Sequence, residues 1–261
     1  MALTPSDLGH DLLLGDNVRL GAGVTFGAHV VVYDDTVVGD ACFIQDGAVL
    51  GKVPSLSPTS TAKRGELAPL ELGAGCVVST GAVVYRGTTL GPGCILGDYA
   101  GVRERCTLGE RVVVGRGSVV ENDTTIGAFT KIQTDAYITA YMTIEDHVFI
   151  APCVRTTNDN FMGRTEKRHA LIEGPTIRRG ARIGGGVVLC PAIVIGEEAF
   201  IAAGAVVTKD APAGKVLMGV PARVVRDVAA SRRPQVACGW GRALASAWPH
   251  PARSPHLAED R

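Results

Sequence analysis

Aliphatic residues recur along this chain at a strict spacing of six. Leu14, Leu20, Phe26, Val32, Val38, Ile44 and Leu50 make a first run. A second runs from Leu72 to Ile150, and a third from Ile177 to Val207. A small residue often follows four positions on, as at Val18, Cys42 and Ala48. Glycine often comes directly after the aliphatic, as at Gly15, Gly21 and Gly39. Two inward positions in six do not fit an α-helix, whose apolar face recurs every three to four residues. Short strands joined by tight corners do fit, with glycine easing the corners. The pattern gives 27 units, or nine coils at three units each, stacked through main-chain hydrogen bonds and aliphatic ladders. The expected fold is all-β, a parallel β-helix. Cys76 and Cys94 lie 18 residues apart, so they should stack as small core residues in neighbouring coils.

Two stretches break the register. Residues 52–71 hold three prolines and a Ser/Thr cluster, and residues 155–176 form a longer polar excursion. Insertions in repeat proteins become surface loops and often serve binding. The repeat is spent after Val225. The expected organisation is a β-helix domain over 1–227 with inserted loops 52–71 and 155–176. Residues 228–261, rich in Ala, Arg and Pro, are expected to form a short cap and then a mostly disordered tail.

Composition narrows the partners. Lys+Arg and Asp+Glu both total 26, so a basic field for nucleic acid is missing. No apolar run approaches the roughly 18 residues of a membrane helix. The N-terminus has no basic residue before its short apolar run, so it does not read as a secretory signal, and a cytoplasmic location is expected. Seven cysteines without a CxxC pair are expected to be free thiols. Three histidines, His29, His147 and His169, fall within the repeats and the long loop. They make no close pair of the kind a γ-carbonic-anhydrase-like metal enzyme needs, and no metal is expected. A purely structural β-helix is the other alternative, and the two polar insertions weigh against it.

The [LIV]-G-x-x-small-x repeat resembles the hexapeptide-repeat acyltransferases. Three stretches, IGAFTKIQTDAYITAYMTIEDHVFIAP (126–152), TTNDNFMGR (156–164) and the 174–223 stretch ending in AGAVVTKDAPAGKVLMGVPAR, narrow the resemblance to the nucleotide-sugar N-acetyltransferase branch. The resemblance implies left-handed coils, and only the resemblance does, because parallel crossovers are right-handed in about 98% of cases. It also implies an acyl-CoA co-substrate, most simply acetyl-CoA, an aminosugar acceptor and a homotrimer. A longer-chain N-acyltransferase of the UDP-glucosamine type is the alternative within the fold. Thr134 and Asp135 stand where that branch commonly has two Asn, Phe161–Arg164 replace its aromatic-Pro-Arg run, and Val220 replaces an Asn. These departures bear on the acceptor more than on the reaction.

Acyl transfer to an amine needs a neutral nucleophile, a group that orients it, oxyanion donors and a seat for the thioester. Asp135, at an outward position beside Gln133, is a candidate to hold the amine or take its proton. His147, with an ordinary pKa of about 6.5, is the candidate base. Asn158 and Asp159 match the loop motif for substrate binding, and Arg164 suits an anionic group such as a phosphate. On the carrier side, Ala203 and Gly204 leave bare backbone for a pantetheine arm. Lys209 and Arg223 are candidate partners for CoA phosphates. No Ser-His or Cys-His arrangement suggests an acyl-enzyme, so direct attack on the thioester is expected.

Overall fold

A computed structural model describes residues 3–60 and 63–229. The 28 strands from Leu12–Leu14 to Val206–Val207 are two to four residues long and alternate among three sheets. Apart from one terminal hairpin at each end, neighbouring strands within every sheet are parallel and come from successive coils. The fold class is as expected: all-β, a parallel β-helix of hexapeptide repeats. One unit more is present than the periodicity gave. Arg155–Thr156 pairs with Tyr137–Ile138 and Val188–Leu189, with the polar Thr156 buried where other units place an aliphatic. Its hydroxyl donates to Tyr137 O and accepts from Thr139 N–H, which explains why a hydrophobic pattern passed over it.

The three faces differ on the outside. The first face carries Val31, Val49, Val83, Val119 and Tyr137 in its outward row, with Gly101 and Arg155 among them, and the third carries Phe43, Val77, Ile95, Val113 and Phe149, with Lys131 and Arg182 among them. The second presents Thr89, Thr107, Thr125 and Thr143, all exposed. The inward rows form one continuous aliphatic core from Leu12 to Leu217. Burial of such side chains stabilises by roughly 1.5–3 kcal/mol each.

Glycines at corners, such as Gly23, Gly81 and Gly117 at φ 71°, 66° and 67°, ease the turn as expected, but the glycines directly after strands do a different job. Gly115 follows a strand, and a Cβ there would lie 2.6 Å from the backbone N of Thr134 in the next coil. At Gly15, Gly21, Gly27 and Gly127 a Cβ would meet an aspartate Oδ1 of the next coil at 2.3–2.4 Å. In all four cases that aspartate caps a backbone N–H one coil back, as Asp146 Oδ1 does for Ala128 at 3.0 Å. These glycines answer to close coil–coil approach, since stacked strands sit only about 4.8 Å apart. The left-handed corners are separate positions and mostly not glycine: His29, Tyr99, Asp123, Asp135 and His147 all have φ between 56° and 61°.

The small inward positions have their own logic. Thr88, Ser118, Thr124 and Thr130 each donate to a carbonyl 15 residues on, in the next coil. Cys76, Cys94 and Cys106 do the same through Sγ at 3.1–3.3 Å. Cys76 and Cys94 are stacked by the Val77–Ile95 register, and Cys42 joins the same column. Burial pushes the Cys106 thiol up to about 12, so it serves as a small inert donor.

The described chain closes on an antiparallel hairpin, Lys215–Gly219 against Ala222–Asp227, at the end of the third sheet. Residues 230–261, where the tail is expected, lie outside the described residues. Among the described residues the one helix is the short 3-10 segment Glu166–Ala170, and no helix is long and apolar enough to cross a membrane.

The glycine argument separates two superficially equal substitutions. Gly115→Ala should cost about 1–3 kcal/mol through overpacking. Gly101→Ala, whose Cβ would meet only a Val119 methyl at 3.9 Å, should stay within about 0.5 kcal/mol of wild type. Chemical denaturation of the two variants checks this, and equal losses would contradict it.

Candidate functional site

A three-faced prism has three edges, and the sequence-predicted residues are spread over all of them. The edge from third to first face carries Asp135, then Cys153, Gly186 and Gly204, each linked to the previous coil by a backbone hydrogen bond. Asp135 and the Ala203–Gly204 pair are thus on one line, three coils apart, or about 14 Å at the usual strand spacing. Asp135 is an exposed corner residue rather than an outward strand position, and Gln133 leads into that corner. At Gly186 and Gly204 a Cβ would meet open space, so this edge is bare backbone towards its C-terminal end.

His147 stands on the second-to-third edge. Its ring stacks on Phe129 of the previous coil, with centroids 5.1 Å apart and planes 6° from parallel. Asn158, Asp159 and Arg164 belong to the long excursion, which leaves the helix on the remaining, first-to-second edge. Lys209 follows the last first-face strand on that same side, and Arg223 lies on the terminal hairpin. Within one chain, therefore, Asp135, His147 and the 158–164 segment do not converge.

What the chain does bring together is its two excursions. The first leaves after Val49–Lys52 and returns at Glu71–Leu72. The second leaves after Arg155–Thr156 and returns at Thr176–Ile177. Both departures are from the first face to the second, so both loops spring from the same edge, with the coils of Arg86, Arg105, Asp123 and Tyr141 between them. The first reaches along this edge: Lys63 Nζ lies 3.4 Å from Asp123 Oδ1 and 6.0 Å from the Tyr141 ring. Between the loops is a cavity of about 450 Å³. Ser55, Ser57 and Thr59 wall it on one side and Asn158, Asp159, Arg168 and Ile172 on the other. Arg103, Glu121, Asn122 and Tyr141 form its floor.

The floor is a charge network. Glu104 is fully buried, a costly place for a carboxylate unless it is paired. Arg103 meets it at 2.8 Å and Arg105 at 3.6 Å, and Arg105 also grips Asp123 with two bonds of 2.9 and 3.0 Å. Arg103 extends to Glu121 at 3.4 Å. Burial raises the Glu121 carboxyl above its usual range; the Arg103 guanidinium opposes that shift and Glu104 adds to it. Glu121 is thus a half-buried carboxylate facing a cavity with its proton affinity moved towards neutrality. Periodicity did not mark it, because it occupies the position after a strand where other units hold glycine.

The excursion residues divide in role. Asp159 accepts from the N–H groups of Phe161 (2.8 Å) and Gly163 (3.0 Å) and from Arg168 (3.1 Å). Those backbone donors, with the Arg168 bond, hold its carboxyl below the ordinary range. Asp159 therefore organises the loop. Asn158 fastens it to the coils through Ala140 O at 3.3 Å and lines the cavity. Arg168, not Arg164, is the excursion arginine that lines the cavity; Arg164 is exposed.

Residues 87–122 and 174–209 match the family described as "Bacterial transferase hexapeptide (six repeats)". Among curated proteins, the galactoside O-acetyltransferase of Escherichia coli K12 is 39% identical over 90 residues, covering 33% of this chain and 44% of that protein. The serine acetyltransferase of Buchnera aphidicola is 35% identical over 91 residues, covering 35% and 31%. The chain thus spans less than half the length of these relatives. Among solved structures, a hexapeptide-repeat acetyltransferase from Vibrio cholerae complexed with acetyl coenzyme A is 28% identical over 47% of this chain and 70% of that one, with a TM-score of 0.39. The Arabidopsis UDP-N-acetylglucosamine acyltransferase is 17% identical over 86% and 74%, with a TM-score of 0.42.

The loop-organising role of Asp159 has a measurable signature. Asp159→Ala should speed proteolytic cleavage within 157–175 while leaving the melting temperature of the coils nearly unchanged. In the wild type the same loosening should appear in acid. A carboxylate with a depressed folded pKa stabilises above its unfolded value of about 3.9, and that contribution is lost as pH falls through the folded value. Equal cleavage of variant and wild type at neutral pH would show that the loop is held by something else.

Proposed function

We propose that this chain, whose coils carry bacterial transferase hexapeptide repeats, is an acyl-CoA-dependent N-acyltransferase acting on the amino group of a nucleotide-linked aminosugar. The observation that carries this reading is the cavity between the two excursions. It is polar, holds carboxylate, guanidinium and amide groups side by side, and lies beside the loop that bears the TTND element. The matched repeats and the acetyltransferase names of the relatives support acyl transfer. The KIQ and TTND stretches support the aminosugar.

In this reading the acceptor amine enters the cavity and meets Glu121. Asn122 and Asn158 offer amides to sugar hydroxyls, and Arg103 and Arg168 offer charge to a phosphate. The neutral amine nitrogen attacks the thioester carbonyl and a C–N bond forms. The C–S bond then breaks as the tetrahedral adduct collapses. The proton lost by nitrogen passes to Glu121, and CoA leaves as thiolate and takes up a proton to become the free thiol. A carboxylate with raised proton affinity is a better base here than an ordinary one. The acyl carrier is proposed to approach the cavity along the first-to-second edge, where Lys209 would meet its phosphates; Ala203 and Gly204 lie on the third-to-first edge and Arg223 on the terminal hairpin, off that route.

The mostly apolar outward rows of the first and third faces support a homotrimer. They flank the edge of Asp135, and a second copy would cover them while the threonine face stays in water. Such packing would bring the second-to-third edge of one copy, which carries His147, beside the excursions of another. A stable monomer in sedimentation at assay concentration would contradict this assembly.

CoA release with a panel of acyl-CoAs against UDP- and dTDP-aminosugars tests the function. The expected result is turnover that rises with pH through a limb above the usual carboxylate range. Glu121→Gln should lower kcat/KM by on the order of 10²-fold or more and remove that limb. Asp135→Asn and His147→Ala should remain within a few-fold of wild type. The reverse pattern, with His147→Ala inactive and Glu121→Gln active, would move the base to the His147 edge.

A further inference from the structure

At the N-terminal end the chain makes a turn between the antiparallel strands Thr4–Ser6 and Leu12–Leu14, and His10 and Asp11 lie in that turn. One coil on, His29 occupies the corner stacked upon it, joined by His29 N–H to His10 O at 2.8 Å. Asp11 and His29 both hold left-handed backbone, at φ 49° and 58°, so their side chains leave the same edge one above the other. The three side chains converge. Asp11 Oδ2 lies 3.5 Å from His10 Nε2 and 3.2 Å from His29 Nδ1. The three donor atoms are within 4.8 Å of one another.

We propose that His10, Asp11 and His29 bind a divalent zinc ion. Metal–nitrogen and metal–oxygen distances of about 2.0–2.2 Å at tetrahedral angles put neighbouring ligand atoms roughly 3.4 Å apart. The two observed separations to Asp11 bracket that value. The third, between the imidazoles, closes by a small ring rotation, for which the exposed side chains have room. Two imidazoles with one carboxylate favour zinc over magnesium or calcium, which prefer all-oxygen sites. The fourth position faces solvent and takes water. The ion would tie the N-terminal turn to the second coil at the open end of the solenoid, where an unpinned edge strand is otherwise prone to fray or to pair with another chain. The site belongs to the N-terminal cap and takes no part in the acyl-transfer chemistry proposed above.

Titration calorimetry of the metal-free full chain with zinc chloride at pH 7.5 tests this. One zinc per chain is expected, with a rise in melting temperature that a chelator reverses. His10→Ala, Asp11→Asn and His29→Ala should each weaken binding at least tenfold, while His169→Ala should not. All four variants should melt like wild type in chelator, which shows that the fold is intact. Binding should weaken in acid, because protons compete with the metal for the imidazole ligands. Cobalt substituted at the site should show no thiolate charge-transfer band. Zinc binding unchanged in His10→Ala and His29→Ala, a thiolate band, or no binding by wild type would each overturn the proposal.

Discussion

Each coil hands its backbone N–H groups to the carbonyls of the next, as Gly115 does to Ile132 at 2.7 Å and Gly127 to Ile144 at 2.7 Å. Satisfying main-chain donors and acceptors in this way fixes the spacing of coils, because a buried unpaired amide costs as much as a lost hydrogen bond. The spacing then dictates the residue types. Where glycine follows a strand, as at Gly115, Gly109 and Gly127, a side chain built there would strike the next coil. The inward corners mostly hold small residues, and those with a hydroxyl or thiol supply one more bond to the neighbouring coil. The aliphatic ladder fills what space remains.

The same stacking governs where chemistry can sit. Corners repeat in register, so a residue at a corner shares its edge with every residue one coil away. Edges are the only places where the chain can leave the helix without breaking the ladders. Both excursions leave from one edge, four coils of which lie between them, and the ends of the loops enclose the Arg103–Glu121 floor. Along this stretch arginine and carboxylate residues replace the glycine and small residues of other coils. Position 104, buried and acidic, is tenable because two guanidinium groups hold it.

Much of this was legible from the amino acids. The six-residue period carried the fold and the two interruptions, since inward positions tolerate little but aliphatics. Thr156 escaped notice because it satisfies its hydroxyl within the core and so imitates a loop residue. The role of the glycines after strands was misread because sequence shows which residue is small and not what presses on it. The candidate site was less legible. Period six tells which residues face in, but edges are set by period 18 and by the lengths of the excursions. Asp135, His147 and the TTND loop read as neighbours along the chain and occupy three edges of the prism. Glu121 and Arg168 acquire meaning only when the two loops close over the same edge. His10 falls outside the repeat, so its approach to His29 could not be counted from the histidines within it.

The cavity between the excursions is the centre of this account, and a crystal structure of the chain with CoA and a dTDP- or UDP-linked aminosugar tests it most directly. The account predicts sugar density between the two excursions, with the amine within hydrogen-bond reach of Glu121 and the hydroxyls facing Asn122 and Asn158. A sugar bound beside Asp135 or His147, with the cavity over Glu121 empty, would contradict it.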